Sequence, residues 1–367
     1  MKVALLTNYL TGYRVPLYEL LAERHGLEVL CYGGGDRYVP SWFGDLDAQL
    51  AQAPFPARRL NGRLQAVAEL AARDYDAVIA PFAGGAMLPL AYAAARARRR
   101  KFILWASVWA QPRSAGHLLA MPVTRRIYRE ADAVIAYGEH VKRFVRRIRG
   151  RDEDVFVAPQ SVEPELFARD VTALDVEAFR GDNELDGGPL VLYCGRLVAE
   201  KGIEVLLSAW QGRPGSARHA TLVIAGDGPL AESVRGRRDV AFLGAVPRSQ
   251  LAVAYAAAVF TVVPSIPTPR FREPWGLVCN ESMHQARPVL ATSAVGAVAG
   301  GLVRDRDNGI VVPPGDPPAL RAAIDLLLGD AQLRHDLGES ARKAVAPYTY
   351  EAMAAAFGNA LAAAGVG

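Results

Sequence analysis

The chain is poor in cysteine and lysine and has no long apolar run, and each shortage removes a class of function. Its three cysteines, Cys31, Cys194 and Cys279, are far apart and odd in number. They build no disulfide framework and read as reduced thiols in a cytoplasmic protein. No Cys/His spacing of the zinc type and no metal-ligand cluster occurs, so no metal and no bound cofactor are expected. No stretch reaches the roughly 18 apolar residues of a membrane-spanning helix. The apolar run after Lys2 ends by Thr7 and Asn8, which is too short for a secretory signal. The dinucleotide fingerprint G-x-G-x-x-G is missing, since Gly226-Asp227-Gly228 has no third glycine, and G-x-x-x-x-G-K-[ST] is missing too. A dehydrogenase and a P-loop enzyme therefore lose most of their weight. There is no aromatic-basic signature of RNA binding, no internal repeat and no low-complexity tract.

What is present suits a two-domain globular protein. The chain has 367 residues, enough for two full cores. Its net charge of +4 fits an anionic ligand or surface and is too weak to argue for nucleic acid. The basic residues are nearly all arginine; the lysines are Lys2, Lys101, Lys142, Lys201 and Lys343. A strand Val3 to Thr7, a helix with Val15, Leu17, Leu20 and Leu21, and a strand Leu27 to Tyr32 form a βαβ unit, which implies a parallel sheet. Asp76–Ala80, Phe102–Trp105, Ala133–Ala136 and Val155–Val157 continue it as buried strands. A second set follows at Leu190–Cys194, Thr221–Ala225, Val240–Leu243, Val259–Val263 and Pro288–Thr292. The expected fold class is α/β with two Rossmann-like domains. The first spans 1–169, 170–188 reads as an acidic, glycine-containing linker, and the second spans 189–348. Tyr350 to Ala364 reads as a terminal helix.

The stretch Arg272-Glu273-Pro274-Trp275-Gly276-Leu277-Val278-Cys279-Asn280-Glu281 holds two carboxylates with seven residues between them. Pro274 suits the first turn of a helix, and the run from Trp275 to Gln285 reads as that helix. Glu273 then sits at its N-terminus and Glu281 about two turns inside. Orphan amides at a helix N-terminus suit a phosphate, and a carboxylate on either side suits hydroxyls. The same residues also fit a helix cap and a solvated surface acid. Arg196 and Lys201 leave the end of a strand near another helix start, which suits a diphosphate or two surface charges.

Together with Tyr193-Cys194-Gly195-Arg196-Leu197-Val198-Ala199-Glu200-Lys201-Gly202, Pro264-Ser265 and Asn308-Gly309-Ile310-Val311-Val312-Pro313-Pro314-Gly315-Asp316, this stretch resembles the retaining glycosyltransferases of family 4. The resemblance is close in the C-terminal half and loose in the N-terminal half. It implies a GT-B fold, with two Rossmann-like domains facing across a cleft and the terminal helix 349–367 packing back on the first. It implies metal-independent transfer of a sugar from a nucleotide-diphosphate donor to an acceptor hydroxyl on a glycan, a lipid-linked saccharide or a small molecule. Arg196 and Lys201 then steady the leaving diphosphate, helped by the amides at Gly276 and Leu277. Glu281 accepts from ribose, Glu273 holds the transferred sugar, and the segment at Gly244 passes the nucleobase.

The first half departs from the family pattern. Many members carry adjacent glycines in the first loop, where this chain offers Gly12 followed by Tyr13 and Arg14. Gly84-Gly85 is another loop at the same edge. Many members place a histidine after a later strand; here Ser107-Val108-Trp109 stands there, and His117 follows at the start of a helix. Ser107 and His117 are the candidates for the acceptor side. The basic run His140 to Arg149 has Val141, Phe144, Val145 and Ile148 at helical spacing. It reads either as a surface helix with a solvated arginine face or as a contact with anionic lipid on the inner membrane face. Two other classes keep the same fold: a binding protein that has lost transfer, and a sugar nucleotide epimerase.

Overall fold

A computed structural model describes residues 1–33, 45–82, 86–185, 187–211, 220–237 and 239–366; Gly84 and Gly85 lie outside them. The chain divides into two compact units, Met1–Gln160 with Thr349–Gly367, and Ser161–Tyr348.

In the first unit, strands β1 (Val3–Thr7), β2 (Leu27–Cys31), β3 (Ala57–Arg59), β4 (Ala77–Pro81), β5 (Lys101–Ala106), β6 (Ala133–Ala136) and β7 (Val155–Val157) form a sheet ordered β3-β2-β1-β4-β5-β6-β7. Its pairings are all parallel. Alternate side chains of a strand go to opposite faces, and both faces here are covered. Val3 and Leu5 join Leu17, Leu21 and Phe357 in one core, while Ala4 and Leu6 join Leu70, Met87 and Phe102 in the other. Burial on both sides makes each strand a near-continuous apolar run.

The C-terminal helix Tyr350–Ala363 belongs to this unit. Phe357 meets Trp105 edge-on at 5.1 Å, and the Tyr350 hydroxyl donates to Tyr13 O at 2.7 Å. The helix Glu139–Arg149 turns Val141 and Val145 into the core, with Phe144 and Ile148 packed against it. Its Arg149 is fully buried in an ion pair with Asp154, and Arg143, Arg146 and Arg147 stay exposed. This is the packing of a sheet-covering helix.

The second unit holds β8 (Leu190–Cys194), β9 (Thr221–Ala225), β10 (Val240–Gly244), β11 (Phe260–Val263), β12 (Val289–Thr292) and β13 (Gly309–Val312) in the order β10-β9-β8-β11-β12-β13. The chain leaves β8 outward to β9 and β10, then returns to the other side of β8 with β11. That reversal makes a switch point between β8 and β11, where loops at the strands' carboxyl ends separate and admit a ligand.

The linker expected at 170–188 does not hold. Ala173–Asp182 is a helix opened by a capping box between Thr172 and Asp175, and its Phe179 is buried in the second unit's core with Phe167 and Tyr255. One buried side chain docks this short helix and is too little to show as an apolar period. The boundary accordingly falls after Gln160, not after residue 169, because Val162 and Phe167 already pack in the second unit.

Candidate functional site

The carboxyl ends of β8, β9 and β10 are tied in a row. Gly195 N donates to Ala225 O at 2.9 Å, and Gly226 N donates to Gly244 O at 2.6 Å. Arg196 follows Gly195, half-buried, with its backbone oxygen held by the Tyr193 hydroxyl at 2.8 Å. Its guanidinium makes no ion pair or hydrogen bond with a described residue. A short turn, Ala199–Lys201, then ends at Gly202 with φ +72°. A Cβ on Gly202 would lie 1.9 Å from Pro264 O. Only glycine therefore lets this turn lie against the loop after β11, where Ile266 N donates to Glu200 O at 3.0 Å.

That close approach delivers Lys201 to Glu273. The ammonium forms an ion pair with the Glu273 carboxylate, which also accepts from Ser265 Oγ at 3.1 Å. The glutamate is 6% exposed, and the Phe271 ring centroid lies 6.0 Å from Lys201 Nζ. An ammonium has three donors, so one contact with Glu273 leaves Lys201 able to meet an anion as well. Residues 72 apart in sequence thus form one charged pair beside the switch point.

The helix after this pair starts later than the sequence suggests. It spans Val278–His284, not Trp275 to Gln285, because Gly276 adopts φ +94°, outside the right-handed helical region. Glu281 accordingly lies in the first turn, not two turns inside, with its amide bonded to Leu277 O at 3.0 Å. The amides of Gly276 and Leu277 donate to no described residue. Trp275 is buried and locked by a 2.8 Å bond from its indole N–H to Asn280 Oδ1.

Three residues near Glu281 had no signal in the sequence. Tyr255, fully buried on the helix Arg248–Ala257, donates to Glu281 Oε2 at 2.5 Å. Arg248 from the same helix pairs with Glu163. Burial pushes the Glu281 carboxyl up to about 7; the Tyr255 bond and Arg248 oppose the rise, and Glu163 adds to it. Tyr255 stands in an alanine-rich run without local pattern, and only the tertiary contact reveals it.

The remaining candidates belong to the first unit. Gly12 is exposed and opens the turn Gly12–Arg14 after β1. Arg14 is 5% exposed, donates to Gln160 Oε1 at 2.7 Å and Tyr137 OH at 3.1 Å, and lies 4.8 Å from the Trp105 ring centroid. It fastens this loop to the sheet. Ser107 is half-buried after β5. His117 sits in the first turn of the helix Ala115–Glu130, with Nδ1 2.6 Å from the capping Ser114 Oγ. Among the described residues, no hydrogen bond or ion pair joins Ser107 to His117. Among the described residues, no three His, Cys, Asp or Glu side chains gather as a metal-ligand set.

Comparison with known proteins gives the family and the fold. A model described as glycosyl transferases group 1 matches residues 175–344, and one described as glycosyltransferase family 4 matches residues 17–166. An alpha-D-kanosaminyltransferase of Streptomyces kanamyceticus is 35% identical over 178 residues, 46% of this chain and 44% of that protein. A D-inositol 3-phosphate glycosyltransferase of Xylanimonas cellulosilytica is 31% identical over 242 residues, 62% of this chain and 55% of that protein. The matched region thus spans about half the length of these relatives. The crystal structure of Anabaena HepE in complex with UDP-glucose superposes with a TM-score of 0.80 at 20% identity and covers 99% of both chains. That of WaaG, a glycosyltransferase involved in lipopolysaccharide biosynthesis, gives 0.67 at 18% identity over 93% of this chain and 94% of that one. Likeness at such low identity shows the fold, which is GT-B.

Proposed function

The chain belongs to the family whose two halves these models describe, group 1 glycosyl transferases of family 4, and on that premise we propose that it moves a sugar from a nucleotide-diphosphate donor to an acceptor hydroxyl. The observation that carries this is the switch-point cluster: Lys201 paired with Glu273, Arg196 without an acid, and unused amides at Gly276 and Leu277. Breaking the bond between sugar and diphosphate puts negative charge on the leaving group. Fixed cations and amides at that position lower the barrier because the charge develops in the transition state. Glu281, held by Tyr255, accepts from the ribose hydroxyls. Glu273 orients the sugar and Lys201 together.

Retention of configuration follows from attack on the same face that the diphosphate leaves. Its support is that Glu273 is already engaged by Lys201 and Ser265, which suits it poorly as a covalent nucleophile. The cations take the charge-stabilising role, so the transfer is metal-independent. The acceptor belongs to the first unit, where Ser107 and His117 are its candidate contacts and Gly12 a candidate donor contact. The three unpaired cysteines fit the reducing cytoplasm. Among the described residues, no helix is long and apolar enough to cross a membrane.

A thermal-shift screen of UDP, GDP, ADP and dTDP tests the donor class, with UDP first because HepE binds it. A nucleotide at 100 times its Kd adds about 2.7 kcal/mol of stability. One of the four is expected to raise Tm by several degrees, and its sugar conjugates to be consumed with acceptor present. No shift with any of them, and no conjugate consumed, would remove the proposal.

Nucleotide affinity also acquires a pH dependence. Glu281 binds ribose as the carboxylate, and its free-protein value lies at about 7. Affinity therefore weakens as pH falls from about 8 to about 6, by up to roughly tenfold. Folding stability moves the other way and falls as pH rises from 4.5 towards 7, because the folded state holds this proton more tightly than the unfolded one. Calorimetric titration of the nucleotide into wild type and Glu281→Gln isolates the affinity effect. The variant should lose this part of the slope, and an identical slope in both would assign it to the phosphates.

A further inference from the structure

The second unit holds a cavity of about 330 Å³ beside the starts of β11 and β12, at the opposite edge of its sheet from the switch point. Gln285 and Arg287, just ahead of β12, line one side. Arg334, His335 and Glu339 of the helix Ala331–Val345 line the other. Gly338 lets that helix lie against the turn before β12, since a Cβ there would sit 2.2 Å from Ala286 O. Ala286 itself takes φ +53°, a left-handed conformation that is costly for alanine. Arg287 follows at once. Its Nη2 donates to Ala256 O at 2.6 Å, but its Nε is shielded from solvent and has no partner. Burial lowers its pKa from the ordinary arginine value. Arg334 donates from Nη1 to Leu328 O at 3.0 Å. Among the described residues, neither arginine makes an ion pair. Glu339, the one acid in the lining, has its Oε2 on Arg342 at 2.7 Å. A shielded donor without an acceptor is a standing cost, which an anion in the cavity would remove.

We propose that this cavity binds a small phosphate ester that carries hydroxyls, with its phosphate between Arg287 and Arg334. Planar guanidinium forks match a phosphate through pairs of parallel N–H bonds. Ala331, the first residue of the helix, also borders the cavity, and its amide bonds to no described residue. The positive end of that helix therefore adds to the same potential. The volume lies in the range of small-molecule sites and exceeds what a bare phosphate fills. The remaining space has acceptors for hydroxyls. Gln285 Nε2 donates to Phe167 O at 2.6 Å and to Arg169 O at 3.0 Å, which leaves Oε1 to accept. Glu339 keeps its Oε1 in the same way. The site shares no residue with the donor cluster and does not rest on the donor reading.

Melting curves of the full chain with inorganic phosphate or glycerol 3-phosphate, up to about 20 mM against chloride at equal ionic strength, test this. Both are expected to raise Tm, by a few degrees at about ten times Kd, and the ester at lower concentration than phosphate. Ala331→Glu/His335→Glu places two carboxylates at exposed positions of the lining and removes no described hydrogen bond. It should leave the ligand-free Tm within about a degree of wild type and abolish the shift. Arg287→Gln/Arg334→Gln should raise the ester's Kd at least tenfold. Should that pair unfold through loss of its bonds to Ala256 and Leu328, the glutamate pair carries the test. Arg196→Ala should keep the full shift, which separates this cavity from the donor cluster. No shift above chloride overturns the proposal. So does a shift that survives the glutamate pair, or one lost in Arg196→Ala. Equal shifts from both probes at equal concentration overturn the ester assignment in favour of free phosphate.

Discussion

Arg196→Ala should lower turnover by roughly 10²-fold while leaving Tm unchanged, the loss expected when one charge-stabilising donor is removed. Its guanidinium has no described partner, so nothing in the fold depends on it. Lys201→Ala should lose turnover to a similar or greater extent and should also cost stability. Lys201 holds a glutamate that is 6% exposed, and a buried carboxylate stripped of its cation is penalised by about 1–3 kcal/mol even when partly hydrated. The sequence alone suggests two equivalent surface cations; the ion pair makes them different. Adding Glu273→Gln to Lys201→Ala should restore most of the lost Tm and none of the activity, a coupling that a double-mutant cycle measures. Full activity in both single variants would remove the assignment of these cations to the leaving diphosphate.

Glu273→Gln should lower turnover by roughly 10²-fold with every donor sugar, because it removes charge from a preorganised site. The amide keeps the shape and still accepts from Ser265, so the loop after β11 should stay in place. Lys201 loses its ion pair, and Tm should fall by a few degrees at most, since this lysine retains some exposure. Steady-state rates and melting curves on the same preparation separate the two effects. A melting loss large enough to unfold the variant at assay temperature would make Glu273 a structural residue.

The strands were legible because both faces of both sheets are covered, and a strand buried on both sides announces itself as an apolar run. β3 escaped because Ala57-Arg58-Arg59 is a short edge strand with little apolar content. The helix Ala173–Asp182 escaped because only Phe179 is buried, with Val176 partly buried beside it, too few apolar positions to show a period. Within the site, Glu273, Glu281, Arg196 and Lys201 were visible as types at spacings. Their division of labour was not, since it depends on Gly202 bringing the Lys201 turn against Pro264. The start of the helix at Val278 was hidden by the same kind of feature, a positive φ at Gly276 that sequence spacing does not carry. Tyr255 was invisible because it acts through Glu281, 26 residues away, on a different helix.

The central claim is that this cluster is a donor site in which Glu281 serves the nucleotide and Glu273 serves the sugar and its cation. Calorimetry with the bare nucleoside diphosphate measures that division directly. Glu281→Gln should weaken binding by roughly tenfold or more, because a neutral amide is a poorer acceptor than a carboxylate. Glu273→Gln should change it by less than about threefold, since this account gives Glu273 to the sugar, which the bare nucleotide lacks. Equal weakening by both substitutions, or no effect from Glu281→Gln, would contradict the account.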